Sequence, residues 1–363
     1  YLFSIDAKRT GFSWLFAFGF YFTLGLGSLF WVMLHHATNS SWSVVVRRQM
    51  ENVAALLPFI FVFSIPIILL RHDLFKWMKL SPGMDPLLDN KAAFLNEPFF
   101  LIRMGLYLVL FGGLAVVLRA FSIRQDRDGD PRWTIRSQGI TFGFLLPFAL
   151  ILTAAVIDWF MALDFHWFST MWGVYLFSGS ALNSMALLIL IITALRSKGY
   201  LERVVTIEHY HIMGKLLFAF TVFWAYIAFS QYFLIWYANI PEETVYFLRR
   251  NTSSWWYLSI LLVVGHFFAP FLFLIGRWAK KSPFFLSLAA GWTLLMHLVD
   301  LYIIVLPTYS SAANPGIDFR LSDLVALVAI GAPLAAIFIA RLSGPALYPL
   351  KDPRLQESLG TRN

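Results

Sequence analysis

The chain has 363 residues, of which 59% are hydrophobic and only 13% are charged, and its mean hydropathy is +0.69. A soluble helical protein of this size needs amphipathic helices with a charged face, and this composition argues against that class. The net charge of +8 lies mostly in loops between apolar segments, so it indicates membrane orientation rather than nucleic-acid binding. Cysteine is absent, which excludes disulfides, thiolate metal ligands and cysteine-ligated iron–sulfur clusters.

Nine long apolar segments account for most of the chain. Each has close to the ~20 residues that an α-helix needs to cross ~30 Å of hydrocarbon, and a backbone in lipid must satisfy its own hydrogen bonds. We therefore predict an all-α polytopic membrane protein with nine transmembrane helices. The predicted spans are roughly Gly11–Leu34, Asn52–Leu70, Pro98–Ala120, Gly139–Leu163, Ser169–Leu195, Ile212–Ala238, Ser254–Ile275, Phe284–Leu306 and Leu321–Arg341.

Lysine and arginine are unequally divided between the two sides of these spans. Seventeen lie on the side of the C-terminus and nine on the other side. Because cytoplasmic loops are richer in Lys and Arg, we predict that the C-terminus is cytoplasmic. The chain begins at Tyr1 rather than Met, and nine spans place its two ends on opposite sides, so we expect one further helix before residue 1.

The two longest loops are predicted at Arg71–Glu97 and Ser122–Gln138. The second contains Asp126, Asp128 and Asp130, whose alternation resembles the beginning of an EF-hand calcium loop. The terminal Glu and the flanking amphipathic helices of that motif are missing, so the mixed charges with Gly and Pro favour a solvated turn. The polar tail after Pro345 is expected to lie along the cytoplasmic surface.

Ionisable side chains within spans cost roughly 2.5–3.5 kcal/mol each on insertion scales, so each needs a partner or a function. His297 and Asp300 share one helix face through their i, i+3 spacing, and histidine titrates near neutral pH, as a proton pathway requires. The alternative is that Arg103 pairs with Asp158 or Asp300 and that the histidines only hydrogen-bond between helices. The candidate proton-relay residues are Asp158, Asp164, His166, His211, Lys215, His266, His297 and Asp300.

Neither a haem nor a zinc site is predicted. A bis-histidine haem would need histidine pairs about four turns apart on facing helices, and no predicted span contains two well-separated histidines. For zinc, His209 and His211 lack a third and a fourth ligand at usable spacing. We expect this chain to bind no metal.

Aromatic and amide side chains form a second group near the outer end of the sixth span. Gln231, Tyr232 and Asn239 lie there among many rings, where a flat quinone ring could stack and accept hydrogen bonds. An ordinary aromatic belt at the membrane surface accounts for the same residues without a ligand. Quinone binding by Gln231 and Tyr232 is therefore the weaker interpretation.

Five segments carry a family resemblance: Asp158–Tyr175, Gly214–Phe220, Phe223–Glu243, His266–Phe271 and Asp300–Tyr302. Together they resemble the ActF-type membrane subunit of alternative complex III, a bacterial quinol:cytochrome c oxidoreductase. More broadly, the chain is similar to the NrfD/PsrC group of quinone-interacting membrane subunits. The family pattern Ser-Leu-Glu-Pro-His-Trp-Phe-Ser-Thr reads here Ala-Leu-Asp-Phe-His-Trp-Phe-Ser-Thr, with a shorter acid at Asp164 and no proline.

The resemblance implies ten spans in the full chain, arranged as two four-helix bundles with a flanking helix at each end. Residues 1–163 would form the first bundle, residues 164–306 the second, and residues 307–363 the last helix and a cytoplasmic tail. It also implies a bacterial inner (cytoplasmic) membrane location and no redox centre within this chain. Haem c and iron–sulfur clusters would belong to partner subunits, and a homologous membrane subunit would handle the quinol.

Three functions remain open from the sequence. The first is a subunit of a quinol oxidoreductase that translocates protons or supports quinol oxidation. The second is a proton-coupled secondary transporter, which also holds buried Asp, His and Arg, although no convincing pairing between the two halves is visible. The third is a structural membrane scaffold whose polar pairs serve helix packing only.

Overall fold

A computed structural model describes residues 6–309 and 316–362, and all regular elements in these residues are helical. Within the described ranges, nine helices are long and apolar enough to cross a membrane. The prediction of an all-α polytopic membrane protein is confirmed. The spans are α1 (Ala7–Ala37), α2 (Val44–Leu69), α3 (Glu97–Asp128), α4 (Arg132–Trp159), α5 (Trp172–Ser197), α6 (Ile207–Ala238), α7 (Trp255–Ile275), α8 (Pro283–Thr308) and α9 (Leu321–Leu342).

Several helices extend further than the apolar segments predict, mostly on the arginine-rich side. The predicted loop Ser122–Gln138 is wrong in extent, because α3 continues to Asp128 and α4 begins at Arg132. Gly129 ends α3 in the left-handed conformation at φ 74°. An apolar segment marks only the part of a helix that lies in hydrocarbon. Polar helical turns that extend beyond the membrane are therefore predicted as loop.

The second span is built from three short helical segments, Val44–Ala54, Leu57–Val62 and Ile65–Leu69. Pro58 and Pro66 each lie in the first turn of the segment that they begin. Proline fits the first turn of a helix because its missing N–H has no partner to lose there. The breaks therefore follow from the two prolines.

The helices pack into two groups that meet at α1 and α5. In the first group, α1 contacts α2 and α4, and α3 contacts α2 and α4; in the second, α5 contacts α6 and α8, and α7 contacts α6 and α8. The contact between α1 and α5 joins the groups, and α9 packs on the outside of α1. Between α1 and α9, Arg9 donates to both carboxylate oxygens of Asp323, each at 2.7 Å.

The third helix of each group contains a π-helical segment, Leu108–Gly112 in α3 and Leu262–Phe268 in α7. A π segment holds one extra residue per turn and turns the side chains beyond it to another face, often at a functional site. His266 lies inside the segment of α7. This local geometry directs its ring into the second group.

The tail after α9 folds back onto the arginine-rich face. Asp352 accepts a hydrogen bond from Arg47 at 2.5 Å, and Ser358 donates to the backbone carbonyl of Trp42. Both Asp352 and Ser358 are buried. The tail therefore packs against the beginning of α2 instead of lying free on the surface.

Candidate functional site

Asp300 on α8 lies in the second helix group, where its carboxylate meets side chains from two other helices. It accepts a hydrogen bond from the hydroxyl of Tyr175 on α5, and a second at 3.3 Å from the indole N–H of Trp224 on α6. Its side chain is buried, and no described cation lies within salt-bridge distance. A buried charge without a counter-charge is costly, so Asp300 is well placed to exchange a proton.

Two histidines lie near Asp300, since His266 stacks on the Trp224 ring that donates to it and His297 lies one helical turn before it on α8. His266 is fully buried and stacks on Trp224 with ring centroids 3.9 Å apart, and neither ring nitrogen has a hydrogen-bond partner among the described residues. His297 bonds through Nε2 to the hydroxyl of Thr23 on α1 at 2.9 Å, while its Nδ1 has no described partner. Buried polar nitrogens are normally satisfied by protein or by ordered water. These three nitrogens are therefore open to a water or a proton-carrying group.

We call this set the Asp300 cluster. It contains three residues that the sequence singled out and three that sequence reasoning missed. Tyr175 and Trp224 lay within the resembling segments, but nothing distinguished them from the many other aromatic residues, and Thr23 gave no signal. The members are Thr23, Tyr175, Trp224, His266, His297 and Asp300.

Asp158 on α4 has the opposite environment. Arg103 on α3 donates to both of its carboxylate oxygens at 2.7 and 2.6 Å, and Tyr107 donates to it at 2.5 Å. The guanidinium also lies over the rings of Phe94 and Phe99 at 3.9 and 4.4 Å. Arg103 thus pairs with Asp158 and not with Asp300, and the pair is fully engaged in helix packing.

Asp164 and His166 lie outside the spans, and each has a separate partner. Asp164 accepts a hydrogen bond from Arg249 at 2.8 Å, and His166 Nε2 lies 2.6 Å from Asp85. The hydrogen bond with His166 is the main reason why the pKa of Asp85 lies below its ordinary value. The structure therefore places the two residues in separate contacts near the surface, away from the buried cluster.

A ladder of rings connects this surface to the cluster. Trp167 stacks on Tyr246 with centroids 3.9 Å apart, Trp172 contacts Trp167 at 5.2 Å, and Tyr175 stacks on Trp172 at 5.4 Å. Burial raises the pKa of Tyr246 to about 12, which keeps its hydroxyl protonated. These stacked rings pack the end of the second group that lies opposite the arginine-rich side, next to the Asp300 side chain that Tyr175 contacts.

Arg250 is a buried cation that sequence reasoning also missed. It is 4% exposed, lies 3.4 Å over the Tyr246 ring, and donates to the backbone carbonyls of Ile303 and Ile304 at 3.0 and 2.9 Å. Burial lowers its pKa. A cation on the last carbonyls of a helix satisfies unpaired acceptors and the helix dipole, so Arg250 holds the end of α8 that carries Asp300.

His211 and Lys215 lie at the other end of the molecule. His211 is 3.8 Å from Glu208, which is paired with Lys281 at 2.5 Å. Thirteen residues of helix separate His211 from Trp224 on α6, a rise of about 20 Å. Lys215 follows His211 by about one turn, so both residues lie in the first part of α6, well before Trp224.

Gln231 and Tyr232 are not brought to one pocket. Gln231 is 6% exposed and accepts a hydrogen bond from Ser169 at 2.8 Å, whereas Tyr232 is 40% exposed and packs edge-on against Phe247. Adjacent residues on a helix point about 100° apart. The two side chains therefore do not form a joint quinone site in this arrangement.

The described residues contain no group of three or more His, Cys, Asp or Glu that could hold a metal ion. The three aspartates of the suspected calcium loop have other partners. Asp126 accepts from Arg48 at 2.8 Å, Asp128 accepts from Trp133, and Asp130 pairs with Arg132 at 3.0 Å. The local geometry agrees with a capped turn between two helices.

The nine spans and the buried polar cluster define a multi-pass membrane protein. Comparison with protein-family models and with curated proteins finds no match.

Proposed function

We propose that this chain is an integral membrane subunit of a multi-subunit quinol:electron-acceptor oxidoreductase, and that the Asp300 cluster exchanges protons within it. The single observation that carries the proposal is Asp300 itself. Its buried carboxylate has two neutral donors and no described cation within salt-bridge distance. His266 stacks on one of these donors, His297 lies one helical turn away, and both have a ring nitrogen without a described partner. Intramembrane ionisable groups of this kind mark proton relays and other polar pathways.

The family resemblance supports the rest of the assignment. In this proposal the chain holds no redox centre, partner subunits carry haem c and iron–sulfur clusters, and a homologous membrane subunit binds the quinol. The separation of Gln231 from Tyr232 favours placing the quinol in that partner. The complex would lie in a bacterial inner membrane with the C-terminus of this chain in the cytoplasm.

Within the cluster, Asp300 and the two histidines have different roles. Asp300 takes up and returns a proton, since protonation removes the cost of its buried charge. Tyr175 orients the carboxylate through its hydroxyl, and Trp224 holds both Asp300 and the ring of His266. A water bound to the unpartnered ring nitrogens of His266 and His297 would connect the two histidines to Asp300 by hydrogen bonds.

The test begins with purification of the tagged chain from its native membrane in mild detergent. Co-purified subunits are identified by mass spectrometry, and quinol oxidation and proton release are measured in liposomes. Quinol oxidation itself yields one proton per electron, so the readout is the proton release in excess of that ratio. Asp300→Asn and His297→Leu should lower this excess at least about tenfold while the subunit composition stays unchanged. Asp73→Asn is the matched control, because Asp73 forms an exposed pair with Lys79 on a loop.

Three results would contradict the proposal. Wild-type proton release in both cluster variants would leave a structural scaffold as the better interpretation. A chain that purifies without redox subunits and drives substrate uptake in vesicles would be a proton-coupled transporter. An equal loss in Asp73→Asn would show that any altered acid disturbs the preparation.

A further inference from the structure

A cavity of about 250 Å³ opens on the arginine-rich side between α2, α3 and α9. Part of its lining is apolar, including Val116 and Ile123. The remainder is strongly basic. We call its charged side chains the pocket arginines: Arg119, Arg124, Arg127 and Arg341.

The pocket arginines have no acidic partners. None of them lies within salt-bridge distance of a carboxylate in the described residues. The nearby acids are already paired, since Glu51 bonds to Arg47 and Arg48, and Asp126 bonds to Arg48. The cavity therefore keeps an uncompensated positive charge that an anion can neutralise.

Two of the pocket arginines are held in place by one residue. Arg119 Nε donates to the side-chain oxygen of Asn52 at 2.9 Å, and a terminal nitrogen of Arg341 donates to the Asn52 backbone carbonyl at 3.1 Å. Each guanidinium has five N–H donors, and most of theirs have no acceptor in the described residues. A phosphate offers several acceptor oxygens that match the planar fork of N–H donors on a guanidinium.

Arginines near a helix C-terminus also interact favourably with the helix dipole. That effect falls off within the last turn, whereas Arg119 lies nine residues before the end of α3. It also does not explain why arginines from α3 and α9 line the same cavity. The convergence of arginines from two helices on one cavity fits a ligand of opposite charge.

The lining changes in character along α3. Val116 and Ala120 lie towards the middle of the span, and Arg124 and Arg127 lie in its last turns on the same helix face. Val116 is 45% exposed, so the apolar end of the cavity reaches the surface that faces lipid. A ligand for this cavity has an anionic head and an apolar continuation.

We propose that this cavity binds the phosphate diester headgroup of an anionic phospholipid from the leaflet on the arginine-rich side. Basic pockets between transmembrane helices bind such headgroups. The pocket arginines contact the phosphate, and Val116 and Ile123 contact the beginning of the acyl chains. The site is separate from the Asp300 cluster and does not depend on the proposed function.

The test uses the full chain, purified with any subunits that accompany it and stripped of lipid in neutral detergent. Binding of a fluorescent phosphatidylglycerol is measured, with unlabelled phosphatidylglycerol, phosphatidylcholine and inorganic phosphate as competitors. Phosphatidylglycerol should compete, and the other two should not at equal concentration. Arg124→Gln with Arg127→Gln should weaken binding about thirtyfold, as expected for two cations at a membrane surface.

Two further double variants complete the design. Arg119→Gln with Arg341→Gln should weaken binding at least as much, and the exposed pair Arg124 and Arg127 remains informative if that variant misfolds. Lys198→Gln with Arg203→Gln is the control, because both residues are exposed on the arginine-rich side and neither lines the cavity. It removes the same charge and should change binding less than twofold.

The proposal is overturned by any of three results. Competition by inorganic phosphate as strong as by phosphatidylglycerol would identify a soluble-anion site. Equal competition by phosphatidylcholine would identify non-specific lipid binding. A loss in the control variant as large as in the pocket variants would show that net charge on this side, and not the cavity, determines binding.

Discussion

Asp158 and Asp300 illustrate how one residue type is stabilised in two ways within the same protein. Asp158 has a buried arginine and a tyrosine as partners, whereas Asp300 has a tyrosine and a tryptophan. The first arrangement neutralises the carboxylate with a fixed cation. The second leaves neutralisation to a proton, and the difference separates a packing residue from a candidate relay residue.

Replacing Arg103 should strongly destabilise the fold. Arg103→Gln leaves Asp158 as an unpaired buried charge, and we expect a loss of about 3–5 kcal/mol in the free energy of unfolding. Equilibrium unfolding in mixed detergent micelles measures this loss. Adding Asp158→Asn to the same chain should recover part of it, and a double variant as unstable as the sum of the two single variants would contradict the pairing.

The contact between Asp85 and His166 should make stability depend on pH. The hydrogen bond from His166 lowers the pKa of Asp85 below 3.8, so its stabilising contribution is fully present above pH 3.8 and is lost as the pH falls through the lowered pKa. The thermal stability of the natural protein should exceed that of Asp85→Asn at neutral pH, and the gap should close in acid. A gap that is constant from pH 7 to pH 3 would refute this assignment.

At the scale of helices, the tightest contact at any described glycine lies between α1 and α5. A Cβ atom added at Gly27 would lie 1.9 Å from the backbone oxygen of Ser180, far inside contact distance. Small residues let transmembrane helices approach each other in this way. Because this contact joins the two helix groups, a glycine here matters for the arrangement of the whole protein.

Gly27→Ala should therefore force α1 and α5 apart. We expect a loss of about 3 kcal/mol or failure to fold, at the upper end of overpacking effects. The matched control is Gly143→Ala on α4, where nothing lies within 4 Å of the added Cβ. Melting temperatures in the same detergent measure both changes, and equal behaviour of the two variants would rule out this account of the contact.

The element scale also explains where prediction from the sequence succeeded and where it did not. All nine spans were predictable because a run of apolar residues long enough to cross a membrane is a local property. The extension of α3 through Gln125 to Asp128 was not, because that turn is polar and is stabilised by neighbours such as Thr134 and Arg48. The same reason applies to the folding of the tail onto Arg47.

At the scale of the whole molecule, charge is distributed unevenly between the two membrane faces. Arg47, Arg48 and the pocket arginines lie on the side of the C-terminal tail, where several acids are already paired. Loops with surplus Lys and Arg tend to lie on the cytoplasmic side of the membrane. The same surplus provides the charge for the proposed phospholipid site.

The absence of cysteine makes orientation directly measurable. Arg127→Cys should be inaccessible to an impermeant thiol reagent added outside intact cells, whereas Ser81→Cys should react. Arg127 lies in the last turn of α3, Ser81 lies in the loop before its first residue, and both are exposed. Labelling of both after membrane disruption is the control, and the reverse pattern would show that the orientation is wrong.

The sequence by itself determined that this is a multi-pass membrane protein, that the described residues contain nine spans, and which few ionisable residues lie within them. These features depend on local hydrophobicity and on the cost of placing a charge in lipid. Only the tertiary structure decided that Arg103 pairs with Asp158, that Tyr175 and Trp224 hold Asp300, and that Ser169 bonds to Gln231. Such pairings join helices far apart in the chain, and they depend on helix rotation and close packing, which hydropathy does not specify.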